Sequence, residues 1–478
     1  MSGLRERMSR LRGDASALPA ETAAAAEKGI TEASAAAVIP ASPESGAGEV
    51  CSAEAAVAAP GLTPSAAANP ARAGAQPSPP PSQEKEEDEL GPEWAKLGVK
   101  LIHNEMGSFL LRRVTYAADY RHGTHHLAEL ADAAAHLSAF HPGEPVDDKH
   151  ILFLDLETTG LGVGAGNVPF MIGLGYAGAG QFTIEQALIR HPAEERAMLD
   201  YLDGLVSRFR FLATYNGRTF DWPVLQNRFI LNGFRNRTWQ PLHLDFLHPA
   251  RSIWRNTLPS CKLSYVEESR LGIARQDDVP GLLAPQLYFQ FLADGKPGPL
   301  EGVFRHNEID MLSLACLAVR FGYLLGDERA AKLPLPSEPE ELVRTGLWLE
   351  RMGARQQAER MFSAAAGMSG RTAYSALLLL AARDKKAGNW SRAVLLWQKA
   401  IDAQSAFGAN QQEAYVELAM YYEHKIKNIE LAIYYTKEAL ELAVSHPLAG
   451  RMNPKRRAEL DALRRRLDRL HRKAAAQR

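Results

Sequence analysis

Two carboxylates set into an apolar run, Ile151-Leu152-Phe153-Leu154-Asp155-Leu156-Glu157, constrain this chain more than any other stretch. A short apolar run that ends in acidic residues reads as a buried strand whose end opens onto a site. Side chains two apart on a strand project to the same face, so Asp155 and Glu157 point together and Leu156 turns away. Carboxylates held this close repel each other unless a cation stands between them. The pair is either part of a divalent-metal site or a solvated strand end, and by itself it does not decide.

The surroundings are those of an α/β domain. Val168 to Tyr176 and Phe182 to Ile189 read as two further strands joined by a turn at Gly178–Gly180. Ala193 to Phe209 is helical, Phe211 to Tyr215 is another buried strand, and Asp221 opens a helix running to about Leu231. The last helix of the domain spans roughly Leu300 to Leu325. The expected fold is a mixed sheet flanked by helices, within a domain over residues 92–330.

With 478 residues the chain is too long for one ordinary domain. Residues 1–91 are rich in Ala, Pro, Ser and Gly with almost no aromatics, and such a segment cannot offset its ordering entropy, so it reads as disordered. Within it, Leu4, Met8 and Leu11 lie at helical spacing among Arg5, Arg7, Arg10 and Arg12, either a basic amphipathic helix or a frayed terminus. Residues 336–450 are helix-forming, and the pair Ala358/Phe362 recurs as Ala393/Trp397, as Gly353 recurs at Gly388. That period of about 35 resembles tetratricopeptide repeats, with a plain helical bundle as the alternative. The basic tail, 451–478, carries Leu460, Leu463, Leu467 and Leu470 as a stripe, either a cap on the last helices or a phosphate-facing surface. Three cysteines, Cys51, Cys261 and Cys316, match no zinc or redox spacing, which points to a reduced, cytoplasmic setting. No membrane span or secretory signal is expected, and a net charge of -1 leaves nucleic acid open as a partner, because local patches matter more than the sum.

Two further segments carry chemistry. In Asn216-Gly217-Arg218-Thr219-Phe220-Asp221, a strand ends, a turn follows, and Asp221 stands at a helix start, where an ordinary helix cap is the competing reading. In His306-Asn307-Glu308-Ile309-Asp310, His306 and Asp310 share a helix face. Each is ambiguous alone. Their order and flanking patterns together resemble the three motifs of the DEDD superfamily of 3′→5′ exonucleases.

The resemblance narrows further. The segments "DLETTGL", "YNGRTFDWPVL", "LHPAR", "LPSCKLS", "DVPG" and "HNEIDMLSLA" occur in the order seen in the YprB-type ribonuclease H-like domain family of bacteria, which often carries tetratricopeptide-like helices after the nuclease domain. The resemblance implies a ribonuclease H-like fold and Asp155, Glu157, Asp221 and Asp310 as ligands of two divalent ions, Mg²⁺ or Mn²⁺. It implies His306 as general base, and Thr158, Thr159 and Leu161, with Asn216, against the terminal nucleotide. The implied reaction releases 5′-mononucleotides from a single-stranded 3′ end. One departure stands out: in the histidine branch of the superfamily the His lies five residues before the last Asp, whereas His306 lies four before Asp310, the spacing of the tyrosine branch.

The remaining candidates are weaker. Gly162–Gly166 lacks the Gly-Lys-Ser/Thr of a phosphate loop and reads as a connector near the site. Asp245 reads as a helix cap, and Arg251 and Lys262 as candidate phosphate contacts. His125, His126, His191 and His248 show no ligand spacing. Two other functions stay open: a module that grips nucleic acid without cutting it, and a scaffold whose repeats recruit a protein.

Overall fold

The strand expected at Ile151 forms, and it runs through the middle of a seven-stranded sheet in a computed structural model. Residues 90–160, 162, 166–235, 239–326, 333–370, 372–407, 411–445 and 454–477 are described. Residues 1–89, with the Leu4–Arg12 stretch and Cys51, lie outside them, as does Leu161. So do residues 163–165 of the glycine-rich connector and 451–453 of the tail.

The strands are β1 (Val99–Asn104), β2 (Gly107–Ala117), β3 (Arg121–His122), β4 (His125–His126), β5 (Ile151–Thr158), β6 (Pro169–Gly178), β7 (Gln181–Leu188), β8 (Phe211–Thr214) and β9 (Leu242–Asp245). Seven of them pair in the order β1-β2-β7-β6-β5-β8-β9, while β3 and β4 form a separate two-residue ladder. Pairing is antiparallel from β1 to β5 and parallel for β5-β8-β9. The sheet is therefore mixed, as expected. The β1–β2 hairpin that extends one edge was not anticipated from the sequence.

Alternation along β5 builds two cores. Ile151 and Phe153 face one side, and Leu152, Leu154 and Leu156 face the other. Each fully buried side chain of this size contributes roughly 1.5–3 kcal/mol. Helices α1 (Pro92–Lys96), α2 (Glu129–Ala133), α3 (Glu195–Val206), α4 (Asp221–Leu231), α5 (Leu247–Trp254), α6 (Leu263–Val266), α7 (Ala284–Asp294) and α8 (Leu300–Leu325) complete the core. Apolar faces of α3, α4 and α7 cover the Leu154 side. The long helix α8 lies on the Phe153 side from Met311 onward, with α2 and α5. Its first turns (Leu300, Val303, Phe304) join the opposite core, so α8 crosses the sheet beside β5.

The C-terminal region is helical: α9 (Pro339–Arg351), α10 (Arg355–Gly367), α11 (Ala373–Lys386), α12 (Trp390–Phe407), α13 (Glu413–Tyr421), α14 (Ile429–Ser445) and α15 (Pro454–Gln477). Consecutive helices pack as the pairs α9/α10, α11/α12 and α13/α14, with α15 against α14. The recurring residues fall at matching places. Gly353 and Gly388 both take left-handed φ angles, 84° and 78°, in the turns inside the first two pairs. Lys427, φ 60°, holds the third, after a widened helical turn at Tyr422–Ile426. Ala358, Phe362, Ala393 and Trp397 are all buried. Leu460, Leu463 and Leu470 of the tail are buried too, and Arg469 and Lys473 pair with Glu423, so α15 closes the last pair.

The array is joined firmly to the core. Trp254 donates its indole N–H to Glu341 Oε1 at 2.9 Å, and Arg270 Nε donates to the same oxygen at 3.1 Å. Phe321 of α8 lies between the rings of Trp254 (5.6 Å) and Trp348 (5.5 Å).

Candidate active site

Parallel pairing between β5 and β8 ends at Phe153↔Ala213, so β5 runs on beyond its neighbour and leaves backbone groups exposed to the gap. The returning chain fills it. Asp221, first residue of α4, accepts the N–H of Leu156 on Oδ1 at 3.2 Å, the place a longer β8 would have taken. The turn that makes this return needs unusual backbone. Asn216 has φ 75°, and a Cβ on Gly217 would stand 2.5 Å from that of Thr214. Asp245, at the end of β9, holds the turn by accepting from the amides of Asn216 (2.9 Å), Arg218 (3.1 Å) and Leu247 (3.1 Å). It caps loops and α5, as expected. The Asn216 side chain is engaged by Thr219 Oγ1, which donates to Oδ1 at 2.9 Å.

On the other side Asp155 lies opposite Gly173 of β6, and Gly173 lies opposite Gln186 of β7. Asn307 of α8, wholly buried, rests on this row. Its amide donates to Asp155 Oδ2 at 3.0 Å and accepts from Gln186 Nε2 at 3.0 Å. Only glycine leaves room, since a Cβ at 173 would fall 2.1 Å from Asn307 Oδ1. One turn of α8 later Asp310 reaches the same space. Thus β5, α4 and α8 bring Asp155, Glu157, Asp221 and Asp310 together, and Glu157, Asp221 and Asp310 are buried.

That concentration of charge is the dominant electrostatic fact. Burial pushes the carboxyls of Asp155 and Glu157 well up, and the charges of Asp310 and Asp221 push in the same direction. Burial likewise raises Asp221, to about 7, against the hydrogen bond from Leu156.

Two residues that the motifs alone did not reveal complete the site. Arg275, in the loop between α6 and α7, makes parallel hydrogen bonds of 2.6 Å to both oxygens of buried Glu267 and pairs with Asp310 and Asp278. Burial opposes its charge, yet Glu267 and Asp310 hold its pKa above the ordinary value. Asp278, within the "DVPG" segment, brackets His306 Nδ1 at 2.9 and 3.0 Å. Arg275 Nη1 stands 3.1 Å from the same nitrogen, so Nδ1 is held between a carboxylate and a guanidinium, and Nε2 is left toward Asp310, 3.7 Å away. Sequence offered a faint signal for Asp278, because the segment was conspicuous, and none for Arg275.

Other expected contacts lie nearby but are occupied. Thr158 Oγ1 donates to Gly160 O at 2.7 Å, and Thr159 Oγ1 accepts from Val168 N at 3.1 Å, so both hydroxyls shape the turn after β5. Leu161 lies outside the described residues.

An all-oxygen donor set with excess negative charge suits hard divalent cations, and the raised carboxyl pKa values show charge that such a cation would compensate. Among the described residues no group of three or more His, Cys, Asp or Glu side chains stands ready as a cage. In this structure Asp310 is turned onto Arg275 instead.

Comparison with known proteins agrees with this architecture. A family model of the RNase H superfamily matches residues 152–321, the stretch from β5 through α8. The chain is 33% identical over 354 residues to a protein of Bacillus subtilis (strain 168) described as uncharacterized protein YprB, covering 73% of this chain and 84% of that one. RNase H-like nucleases act on nucleic acid and generally use divalent metal ions. The chain belongs to the YprB-type family of the RNase H superfamily.

Proposed function

We propose that the chain is a metal-dependent nuclease of the DEDD type, hydrolysing phosphodiester bonds from the 3′ end of single-stranded nucleic acid. The observation that carries this reading is the convergence of Asp155, Glu157, Asp221 and Asp310 from three separate elements, with burial and mutual repulsion raising the first three. Asp155, Glu157, Asp221 and Asp310 would hold two Mg²⁺ or Mn²⁺ ions. Such ions, when bound, polarise the phosphodiester and acidify water.

The protein's own groups supply the rest. His306 Nε2 takes the proton of the attacking water as its oxygen bonds to phosphorus, while the bond to the 3′-oxygen breaks and that oxygen leaves with a proton from solvent. Asp278 and Arg275 hold the ring through Nδ1 and leave Nε2 toward Asp310, which makes the four-residue spacing of His306 and Asp310 workable. Asn307 holds Asp155 in place from behind. Because the Thr158 and Thr159 hydroxyls serve their own turn, the terminal nucleotide would meet backbone there, with Leu161 and Asn216 beside it. The helical pairs, with Gly353 and Gly388 a period of about 35 apart, are read as tetratricopeptide-like repeats that engage a protein. A reduced, cytoplasmic setting fits the free thiols Cys261 and Cys316. Among the described residues no helix is long and apolar enough to cross a membrane.

A second reading, a module that grips nucleic acid without cutting, draws on the Arg275–Asp310 pair, which competes for a ligand. Incubation with Mn²⁺ and 5′-labelled single strands separates the two. The nuclease reading expects a ladder of products shortened from the 3′ end, abolished in Asp155→Ala. No cleavage by the wild type, or equal cleavage by the variant, removes it.

A further inference from the structure

Beyond the carboxylates, a surface among the described residues carries charge that runs against the sum. Two adjoining clefts, of about 450 and 650 Å³, follow the seam between the core and the helical array. They share Ser252 of α5 and Arg351 of α9, so they form one continuous groove. At one end the groove is lined by Arg218, His243 and His248, with Asp245 there engaged by backbone amides. At the other it is lined by Arg255, Arg344, Arg383 and Lys386, with Glu350 as the lone acid there.

The cations divide into two sets. Arg344 pairs with Glu340, and Arg383 pairs with Glu350, Glu359 and Asp384, so these brace the walls. Arg218, Arg255, Arg351 and Lys386 are exposed, and among the described residues none of their side chains pairs with a carboxylate. A file of unpaired cations in a groove, on a chain with net charge -1, is the footprint of an extended polyanion.

Position selects the polyanion. Arg218 lies on the Asn216–Phe220 turn, three residues before Asp221, and Asp245 pins its backbone. The groove therefore starts on the turn that delivers Asp221 and leads across α5 onto α9 and α11. Its joint is fixed by Glu341, so the two walls keep their spacing.

We infer that this groove binds the sugar-phosphate backbone of the substrate strand on the 5′ side of the reacting end. The inference rests on the nuclease reading, since that reading places the 3′ end among the carboxylates. The helical array then serves the core directly as one wall of the substrate track. Contacts are to phosphates, so no sequence preference follows.

The test uses the full chain and the triple variant Arg255→Ala/Arg351→Ala/Lys386→Ala, all exposed and outside the carboxylate site. Binding of a fluorescein-labelled long oligothymidylate is followed by anisotropy in EDTA over a range of salt. Turnover of the p-nitrophenyl ester of thymidine 5′-monophosphate with Mn²⁺ reports the site alone. The expected result is an affinity loss of at least roughly tenfold for the long strand, a salt slope shallower by about 2 for three lost phosphate contacts, and unchanged ester turnover. Unchanged long-strand affinity overturns the inference, as does equal loss on the ester, which would signal damage to the fold. A poly-glutamate peptide that displaces the strand as well as unlabelled oligothymidylate does also overturns it, in favour of an acidic protein partner. A wild type that binds the strand, loses it in the variant and yet hydrolyses neither substrate would keep the groove and remove the nuclease reading.

Discussion

Gly173 is the point where the site can be tested most sharply, through Gly173→Ala. The new methyl carbon would lie 2.1 Å from Asn307 Oδ1 and 2.5 Å from Nδ2, well inside contact distance. Asn307 is wholly buried and held by Gln186 on one side and Asp155 on the other, so it cannot retreat without breaking those bonds. Overpacking of this kind costs about 1–3 kcal/mol, and losing a hydrogen bond to a carboxylate costs about 1.5–3 kcal/mol. A destabilisation of about 3 kcal/mol is expected, and a shift of Asp155 by even 1 Å would lower the rate on the order of 100-fold. Asn307→Ala alone should cost about 1–3 kcal/mol by taking the side-chain donor from Asp155, while Gln186 keeps its bonds to Phe304 and Arg112. In that background the atoms that the new methyl would meet are gone, and φ at 173 is not left-handed. Gly173→Ala there should be neutral or stabilising by about 0.4–1 kcal/mol. Chemical denaturation of the four proteins, with Mn²⁺-dependent cleavage beside it, closes the cycle. Additive effects would refute the account, because they would mean that the two residues do not share one space.

Other expectations follow from the same geometry. Burial lowers the pKa of His122 to about 4 from 6.5. The unfolded chain thus binds a proton below pH 6.5 that the folded one refuses until about pH 4, so stability falls with pH across that window, by roughly 3 kcal/mol. Tm measured against pH should show a shallower fall in His122→Gln, and an identical profile would contradict the assignment. Asp278→Asn, which can present a donor to His306 Nδ1, should lower kcat by roughly 10²–10⁴ with KM little changed; steady-state kinetics on the nitrophenyl ester decide it. Glu341→Ala strands Trp254 and Arg270 at the joint and should cost about 3 kcal/mol in urea unfolding.

Much of the fold was legible because its signals are local. The helix beginning at Asp221 and ending at Leu231, and that spanning Leu300 to Leu325, stand where the pattern put them. The strands β5, β6 and β7 begin and end within two residues of their expected limits. The four carboxylates were legible because their order along the chain resembles known motifs. What escaped is what depends on long-range approach. Arg275 and Asp278 sit in an irregular loop with no periodicity, and only the fold brings them to His306. Asn307 reads as an ordinary helix residue until Gly173, 134 positions earlier, is seen to leave space for it. Strands β1 and β2 alternate weakly, because consecutive residues such as Leu110 and Leu111, or Arg112 and Arg113, put like side chains on both faces of β2. Nothing in the residue pattern hinted that the array would share a seam with the core.

That seam changes what a truncation experiment means. One apolar cluster runs without a break from Leu127 through Trp254 and Phe321 to Leu418, so the two regions share a single interior. Cutting the chain after α8 would expose Trp254, Phe321 and the surface that Trp348 covers, and the shortened protein would aggregate or melt early. Lost activity in such a fragment would report a ruptured interior, whatever the helices bind. Point changes on the outer surface of the array, which leave that interior whole, are the ones that can reveal a recruited partner.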